Sequence, residues 1–275
     1  VNLKFWGTRS SVASPGRNTM ELGGNTPCLV MQKEKSPPLI FNSGTGIIEY
    51  ATRGINLKED KEFHLFFSNF SWDLIQGFPF FIPIHIPGTD IHLYSPRPVS
   101  LMKDNFTRLF DGSYSPLRDL SYLNANIHFH FIEETIQVGE FEIETKVVHH
   151  PYRSYAYKIT GGGKKTGIIY HHENTGDMIN DHLVEFMTGV DILIHDAKYS
   201  ESDYLVNQNH GHSSMEKAIQ NGIAMKAKYL FLTSYHFHYT DDYIRLYLDR
   251  YLKKNPSPAG MKIILSSEKK LFRFA

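Results

Sequence analysis

Short alternating stretches open the chain: Val1 to Trp6, Thr26 to Gln32 and Pro38 to Asn42 read as strands set off by Gly, Ser and Pro turns, the pattern of an antiparallel meander. Ile47 to Ile55 has a helical spacing, Glu62 to Ser68 is a short buried strand, and Ile91 to Ser95 is another, followed by a helix over Val99 to Leu109. Alternation returns in Ile127 to Ile132 and Phe141 to His149. A second half repeats this layout. Tyr155 to Thr160 and Thr166 to Tyr170 flank GGGKK as a hairpin, and helices over His182 to Thr188, Ser214 to Met225 and Asp241 to Lys253 each precede an apolar strand, at Asp191 to His195, Tyr229 to Thr233 and Lys262 to Leu265. A last short strand covers Leu271 to Phe274. Strands and helices alternating in both halves predict an α/β chain, an αββα sandwich of two mixed β-sheets flanked by helices.

Composition narrows the picture. A chain of 275 residues with 41% hydrophobic content and no linker or low-complexity tract is expected to form a single domain over 1-275. Its first residue is Val, as in a piece of a longer protein. Formal net charge is +0 and the cations are dispersed, so nucleic acid is not implied by charge, except through a local cleft. Cys28 is the single cysteine, which excludes an internal disulfide or a thiolate-rich metal site and fits a reducing, cytoplasmic setting. No apolar run approaches the roughly 18 residues of a membrane helix, so no membrane partner is expected.

Candidate chemistry lies in an ordered series of motifs: GTRSSVASPG from Gly7, GGNTPC from Gly23, FNSGTGI from Phe41, SNFSWDLIQGFPFF from Ser68, HHP from His149, IIYHHENT from Ile168, DILIHDAKY from Asp191, GHSS from Gly211 and FLTSYHFHYTDD from Phe231. In this order, nearly end to end, the series resembles the metallo-β-lactamase superfamily, and within it the phosphodiesterase and tRNase Z-like branch. The resemblance implies one or two zinc ions held by imidazoles and carboxylates, with a bound hydroxide as nucleophile. The ligand positions disagree with that chemistry. Where the family has H-x-H-x-D-H, this chain has Asn69, Ser71, Asp73 and Leu74, and Ser234 stands where the last histidine ligand belongs. Asp73, His150 and Glu173 remain able to ligate, split between the two metals. Asn42 replaces an aspartate that, in the resemblance, orients the ligand histidines from outside.

The resemblance therefore predicts a degenerate metal site with no cofactor, the alternative being zinc or manganese at a single site rebuilt with one of His149, His171, His172, His236 or His238. Neighbouring residues on a strand face opposite ways, so at most one of His149 and His150, and one of His171 and His172, is expected to reach the cleft. The substrate side looks better kept. GHSS resembles the family's GHST, so His212 inherits the role of holding or protonating a phosphodiester and, with Asp73, is a residual catalytic candidate. Ser213 and Ser214 open a helix whose free amides suit an anion, and Thr8, Arg9 and Arg153 are expected to face the same cleft. Asp196 reads as an outer-shell carboxylate or part of the sheet terminus, and the charges of Asp241 to Lys254 as a solvated helix face. The resulting expectation is a pseudoenzyme that binds a phosphate-bearing small ligand such as a nucleotide, or a protein partner, in the old cleft. The alternatives are a metal-dependent phosphodiesterase-like hydrolase and a structural or dimerisation module, and the resemblance implies a homodimer.

Overall fold

The alternating stretches pair as their patterns predict. In the computed structural model, which describes residues 1–33, 36–112, 119–174 and 180–274, β1 (Asn2–Gly7), β2 (Cys28–Gln32) and β3 (Leu39–Phe41) form an antiparallel meander. Helix α1 (Gly46–Arg53) then crosses to β4 (Glu62–Phe66). A single helical turn, α2 (Trp72–Ile75), leads by way of β5 (Asp90–Ser95) and α3 (Val99–Leu109) to β6 (Asn126–Phe131). Strands β3 to β6 run parallel, as strands joined by crossovers must.

The second half follows the same plan. Strands β7 (Thr135–Val138), β8 (Phe141–Val148), β9 (Ser154–Gly161) and β10 (Lys164–Ile169) are antiparallel. Helix α4 (Asp181–Met187) leads to β11 (Ile192–Asp196), α5 (Glu201–Val206) and α6 (Met215–Ala224) lead to β12 (Tyr229–Thr233), and α7 (Asp241–Lys254) leads to β13 (Lys262–Leu265), all parallel to β10. The final strand β14 (Leu271–Arg273) returns to pair with β1. Two seven-stranded mixed sheets result, in the orders β14-β1-β2-β3-β4-β5-β6 and β13-β12-β11-β10-β9-β8-β7, flanked by helices.

Each layer is closed by an apolar stripe. Phe5, Phe41 and Phe66 of the first sheet meet Tyr157, Ile168, Ile194 and Phe231 of the second in the central core. Outside the first sheet, Ile47, Tyr50 and Ala51 of α1 and Phe106 of α3 cover Phe63, Leu65 and Leu93. Outside the second, Ala218 and Ile219 of α6 and Ile244 and Leu248 of α7 cover Leu193 and Leu230. The helices bury these residues at three- and four-residue spacing, while the strands send alternate residues to the two cores.

Details depart from the expectation where segments are short. The hairpin turn is Gly162 and Gly163 alone, both at positive φ, so Lys164 and Lys165 already belong to β10. Strand β7 and helix α5, of four and six residues, are too brief to carry a periodic signal. Asp241 corrects the reading of α7 as simply solvated: it is buried and paired with Arg9 at 2.5 Å. Thr175, which ends the IIYHHENT motif, lies outside the described residues. Cys28 is buried and free, and no helix among the described residues is long and apolar enough to cross a membrane.

The parallel strands of both sheets end towards one another, and Glu268 clasps the Gly23–Asn25 turn beside that junction. Its carboxylate accepts from Asn25 N at 2.8 Å and Asn25 Nδ2 at 3.0 Å. It lies where a Cβ on Gly23 would stand, 2.2 Å from the nearest carboxylate atoms. Burial pushes this carboxyl up to about 7. The folded chain therefore keeps a proton that the unfolded chain releases near 4.5, and stability should fall as pH rises between those values, by about 3 kcal/mol in the limit. Urea unfolding between pH 5 and pH 8 is expected to show this slope in the native chain and a flattened one in Glu268→Gln.

Candidate functional site

Loops at the ends of β3, β4, β10, β11 and β12 bring Asn42, residues 68–73, His171 to Glu173, Asp196 and Ser234 to the junction of the sheets, the usual place for ligands in open parallel sheets. The backbone there is unusual. Of the seven non-glycine residues with positive φ among those described, Ser11 (70°), Asn42 (63°), Arg153 (56°), His171 (51°), Asn209 (66°) and Ser234 (60°) lie on loops of this junction. Left-handed conformations of this kind cost energy and collect where function or its remnants constrain the chain.

Asp73 sits in the single turn of α2, almost wholly buried. Its Oδ2 accepts from Ser11 N at 2.8 Å, from Ser10 Oγ at 3.3 Å and from His171 Nε2 at 3.2 Å. Burial works against the charge, but the His171 ring and the Ser11 N–H outweigh it and hold the carboxyl well below the usual carboxylate range. Asn69 completes the arrangement. Its Oδ1 accepts from Ser71 N at 2.9 Å, so its Nδ2 faces His171 Nδ1 at 3.2 Å. An amide nitrogen can only donate, so His171 carries its proton on Nε2 and points it at Asp73.

Two further imidazoles line the same space. His150 lies 5.5 Å from the His171 ring and accepts from Tyr152 N through Nδ1 at 3.1 Å, which also puts its proton on Nε2. Burial, with His171 nearby, pulls His150 down to about 4. His212 lies 4.5 Å from His171 and donates from Nδ1 to Asp196 Oδ2 at 2.7 Å, leaving its Nε2 lone pair free. Burial, His171 and Lys198 push His212 well below the ordinary histidine value, and burial raises Asp196. Lys198 is the residue that sequence reasoning missed. It is buried, donates to Ser11 Oγ at 3.0 Å, and lies in the field of Asp196 and Asp73, although burial lowers its affinity for the proton. A lysine in the DILIHDAKY motif two residues beyond Asp196 was its only signal.

The remaining expected site residues are largely absorbed by structure. Glu173 accepts from Asn209 N and Gly211 N, both at 2.8 Å, so both carboxylate oxygens clasp the GHSS loop. Ser213 donates to His172 O at 2.7 Å and its N–H reaches Asp196 at 3.2 Å, while Ser214 Oγ caps Lys217 N at 3.2 Å and donates to Glu201 at 2.5 Å. Thr8 Oγ1 donates to Leu22 O at 3.0 Å. Arg9 is fully buried, with Asp241, Gly23 O and Tyr239 O around its guanidinium. None of these groups is spare for an anion. Arg153 is exposed, and its guanidinium makes no ion pair among the described residues. Leu74 is core, Ser71 lies at the mouth, and Ser234 Oγ, Asn42 Nδ2 and Ser68 Oγ are buried without hydrogen-bond partners. Asn42 Oδ1 still accepts from Ser68 N at 3.0 Å. One ring of each pair faces the centre: His149 is exposed, and His172 turns away to Asn174 Oδ1 at 2.9 Å. His236 packs 5.7 Å from Tyr199, and His238 is exposed.

Whether this donor set fits a metal follows from its hydrogen bonds. The nearest approach to a one-ion site is His171, Asp196 and His212, whose ligand atoms lie within 4.8 Å of one another. A ligating imidazole needs a lone pair inward and an acceptor behind it. His212 has that arrangement. His171 and His150 have the reverse, with a donor behind and N–H inward, and Lys198 adds a positive charge beside the two carboxylates. The residues do not fit the two zinc ions that the resemblance implies; at the one cluster among the described residues that could hold an ion, His171 would have to leave Asp73 and turn a lone pair inward.

No protein-family model matches the sequence, and no curated protein matches it. Solved structures do match in fold. The metallo-β-lactamase fold protein YhfI of Bacillus subtilis aligns with TM-score 0.70 and 14% identity over 99% of each chain. The short form of human tRNase Z aligns at 0.69 and 16% identity, again over 99% of each. Zinc-bound PqqB of Methylobacterium extorquens aligns at 0.69 and 13% identity over 100% of each. The chain has the metallo-β-lactamase fold.

The two expected cleft arginines should separate cleanly in equilibrium unfolding. Arg9→Ala leaves Asp241 buried without its partner and should cost about 3–5 kcal/mol. Arg153→Ala, at an exposed and unpaired position, should change stability by less than about 0.5 kcal/mol.

Proposed function

We propose that this chain is a catalytically degenerate metallo-β-lactamase-fold protein that binds a small phosphate-bearing ligand, such as a nucleotide, at the mouth of the old cleft. The observation that carries the reading is the pairing of Asp73 with His171. An imidazole N–H stands against the one carboxylate kept from the family's first ligand motif, and Asn69 holds that ring in place. Without a metal ion, water in the cleft stays near its bulk pKa of about 15.7, and none of the groups around Asp73 replaces that activation.

A cavity of about 370 Å³ at the mouth supports the ligand-binding half of the reading. It is bordered by Asn69, Ser71, Trp72, Arg97, Asn105 and Tyr152. Its size suits a small molecule. Among the described residues the Arg97 guanidinium makes no ion pair, so it is available to a phosphate, and Trp72 and Tyr152 offer exposed aromatic faces to a base. The inner groups first expected to contact the ligand are engaged by the protein itself, which moves the site outward. The homodimer expectation draws separate support from Phe80, a large exposed apolar side chain that lines a cavity of about 570 Å³ with Ile48, Pro79 and Leu109.

The test combines metal analysis with ligand stabilisation. Protein dialysed against zinc and manganese should hold no ion whose retention depends on Asp73 or His212. A saturating nucleoside monophosphate should raise thermal stability, by about 2.7 kcal/mol at 100 times its dissociation constant. Arg97→Ala should abolish that shift. A stoichiometric metal ion lost on Asp73→Ala, together with chelator-sensitive hydrolysis of a generic phosphodiester, would overturn the reading in favour of a rebuilt hydrolase.

A further inference from the structure

Four histidines outside the old cleft lie together on the parallel strands β4, β5 and β6. His64, His92 and His128 are lateral neighbours in the sheet register, and Tyr94 and His130 are paired one step on. Phe66 and Tyr94 on the same face belong to the central core, so the row lies on the inner face of the first sheet and runs to its last strand, β6. His92 is at the centre, its ring centroid 4.8 Å from His64, 4.6 Å from His128 and 5.1 Å from His130. Access to water grows along the row. Side-chain exposure is 7% at His64, 20% at His92 and 43% at His128. A cavity of about 590 Å³ beside β6 reaches His128 and His130, with Lys103 of α3 on its wall.

The hydrogen bonds of this row limit how many protons it can hold. His92 Nδ1 and His130 Nε2 face each other head-on at 2.9 Å, so one of these nitrogens donates and the other presents a bare lone pair. A proton on both would set two N–H groups against each other. The outer rings each have a carboxylate to meet an added charge: Glu62 Oε1 lies 3.1 Å from His64 Nε2, and Asp90 Oδ1 lies 2.9 Å from His128 Nε2. The central pair does not. His92 stands 3.7 Å from Glu62, beyond hydrogen-bond distance, with Asp90 farther off and His64 and His128 opposing a charge on it. The charges that act on His130 are only the imidazoles of His92 and His128, and Lys103 borders the same cavity. Asp119, beside Leu120 of the cavity wall, accepts from Ser121 N at 2.7 Å. Across the core, Ile136, Val138, Phe141 and Ile143 of the second sheet carry no charge. Burial, with the neighbouring imidazoles, accordingly holds His92 and His130 below the ordinary histidine value of 6.5.

We propose that the His92–His130 pair is an acid-sensitive latch on the edge of the first sheet: protonation of both rings breaks their hydrogen bond and opens the β5–β6 seam while the rest of the fold stays closed. The seam is the weak point of this sheet. Among the described residues β6 pairs with β5 alone, and the inner face of β6 offers Asn126, His128 and His130, with no apolar side chain to hold it to the core. Its outer face is better anchored. Ile127 and Phe129 pack with the α3 cluster, where Phe129 meets Phe106 at 6.0 Å, so β6 parts from β5 and stays with α3. In the open seam each ring regains the ordinary histidine affinity. The open form then binds more protons than the closed one and is favoured as pH falls below 6.5. With two protons taken up, the opening constant rises by as much as about 100-fold per pH unit. The latch is independent of the reading of the old cleft.

Hydrogen exchange on the full chain, corrected for the intrinsic rate at each pH, should show the protection of β6 amides falling at least about tenfold between pH 7 and pH 5. Strands β10 to β12 should keep theirs. His130→Gln retains an amide that can reach His92 but cannot take a proton, and it should remove most of that fall. His92→Asn should act alike, and circular dichroism checks that each variant is folded. Glu268→Gln removes the opposite, global slope expected from that carboxyl and should leave the local fall in β6 unchanged. Nuclear magnetic resonance titration of the native imidazoles needs no variant: His92 and His130 should take up their protons below pH 6.5. A pH-independent β6, or the same fall in both histidine variants as in the native chain, would overturn the proposal. So would equal loss of protection in both sheets, which would show general acid unfolding only, or protonation of both rings at or above pH 6.5.

Discussion

A carboxylate sealed between two sheets has to be matched, because burying an unpaired charge costs several kcal/mol. Asp73 is that carboxylate, and the geometry of the junction follows from how it is satisfied. The Ser11 N–H and the His171 ring that reach it both belong to residues with left-handed backbone. Holding the His171 ring requires Asn69, and holding Asn69 requires the N–H of Ser71. Lys198 then sits close enough to Asp73 and Asp196 to offset a second buried negative charge. The result is a set of hydrogen bonds around Asp73 in which protein groups meet its charge, while Ser234 Oγ, Asn42 Nδ2 and Ser68 Oγ nearby stay without partners.

The same closure extends outward. Glu173 ties the GHSS loop through two backbone amides, and Gly211 in that loop is needed because a Cβ there would lie 1.9 Å from the His150 ring. Arg9, which the motif places at the cleft, is instead the pin between the first loop and α7 through Asp241. Conservation of a motif's residue types therefore does not preserve their roles. A guanidinium surrounded by two backbone carbonyls and a carboxylate has no capacity left for a ligand, whatever its position along the chain.

Imidazole count is a poor guide to metal binding, since the far nitrogen of each ring decides what the near one can do. His150 and His171 face donors at Nδ1 and present N–H to the cleft, whereas His212, backed by Asp196, presents a lone pair. Such differences arise from one backbone amide or one side-chain amide at about 3 Å. They bear directly on what the junction can do, because the Asn69 amide fixes the tautomer of the neighbouring His171 ring.

Local pattern was enough for the architecture. Strand alternation, helical spacing and the order of glycine and histidine motifs point to two mixed sheets with outer helices, and the side chains at Asn69, Ser71, Leu74 and Ser234 are visibly unsuited to zinc. These are properties of single residues and of neighbours along the chain. The partner of Asp73, the burial of Lys198, the ion pair of Arg9 with Asp241 and the alignment of His64, His92 and His128 were not legible, because each joins residues on different strands or loops. The sequence alone determined which groups are present at the junction. Only the tertiary structure decided which of them face one another, and hence where each proton sits, because hydrogen bonding acts across about 3 Å of space irrespective of separation along the chain.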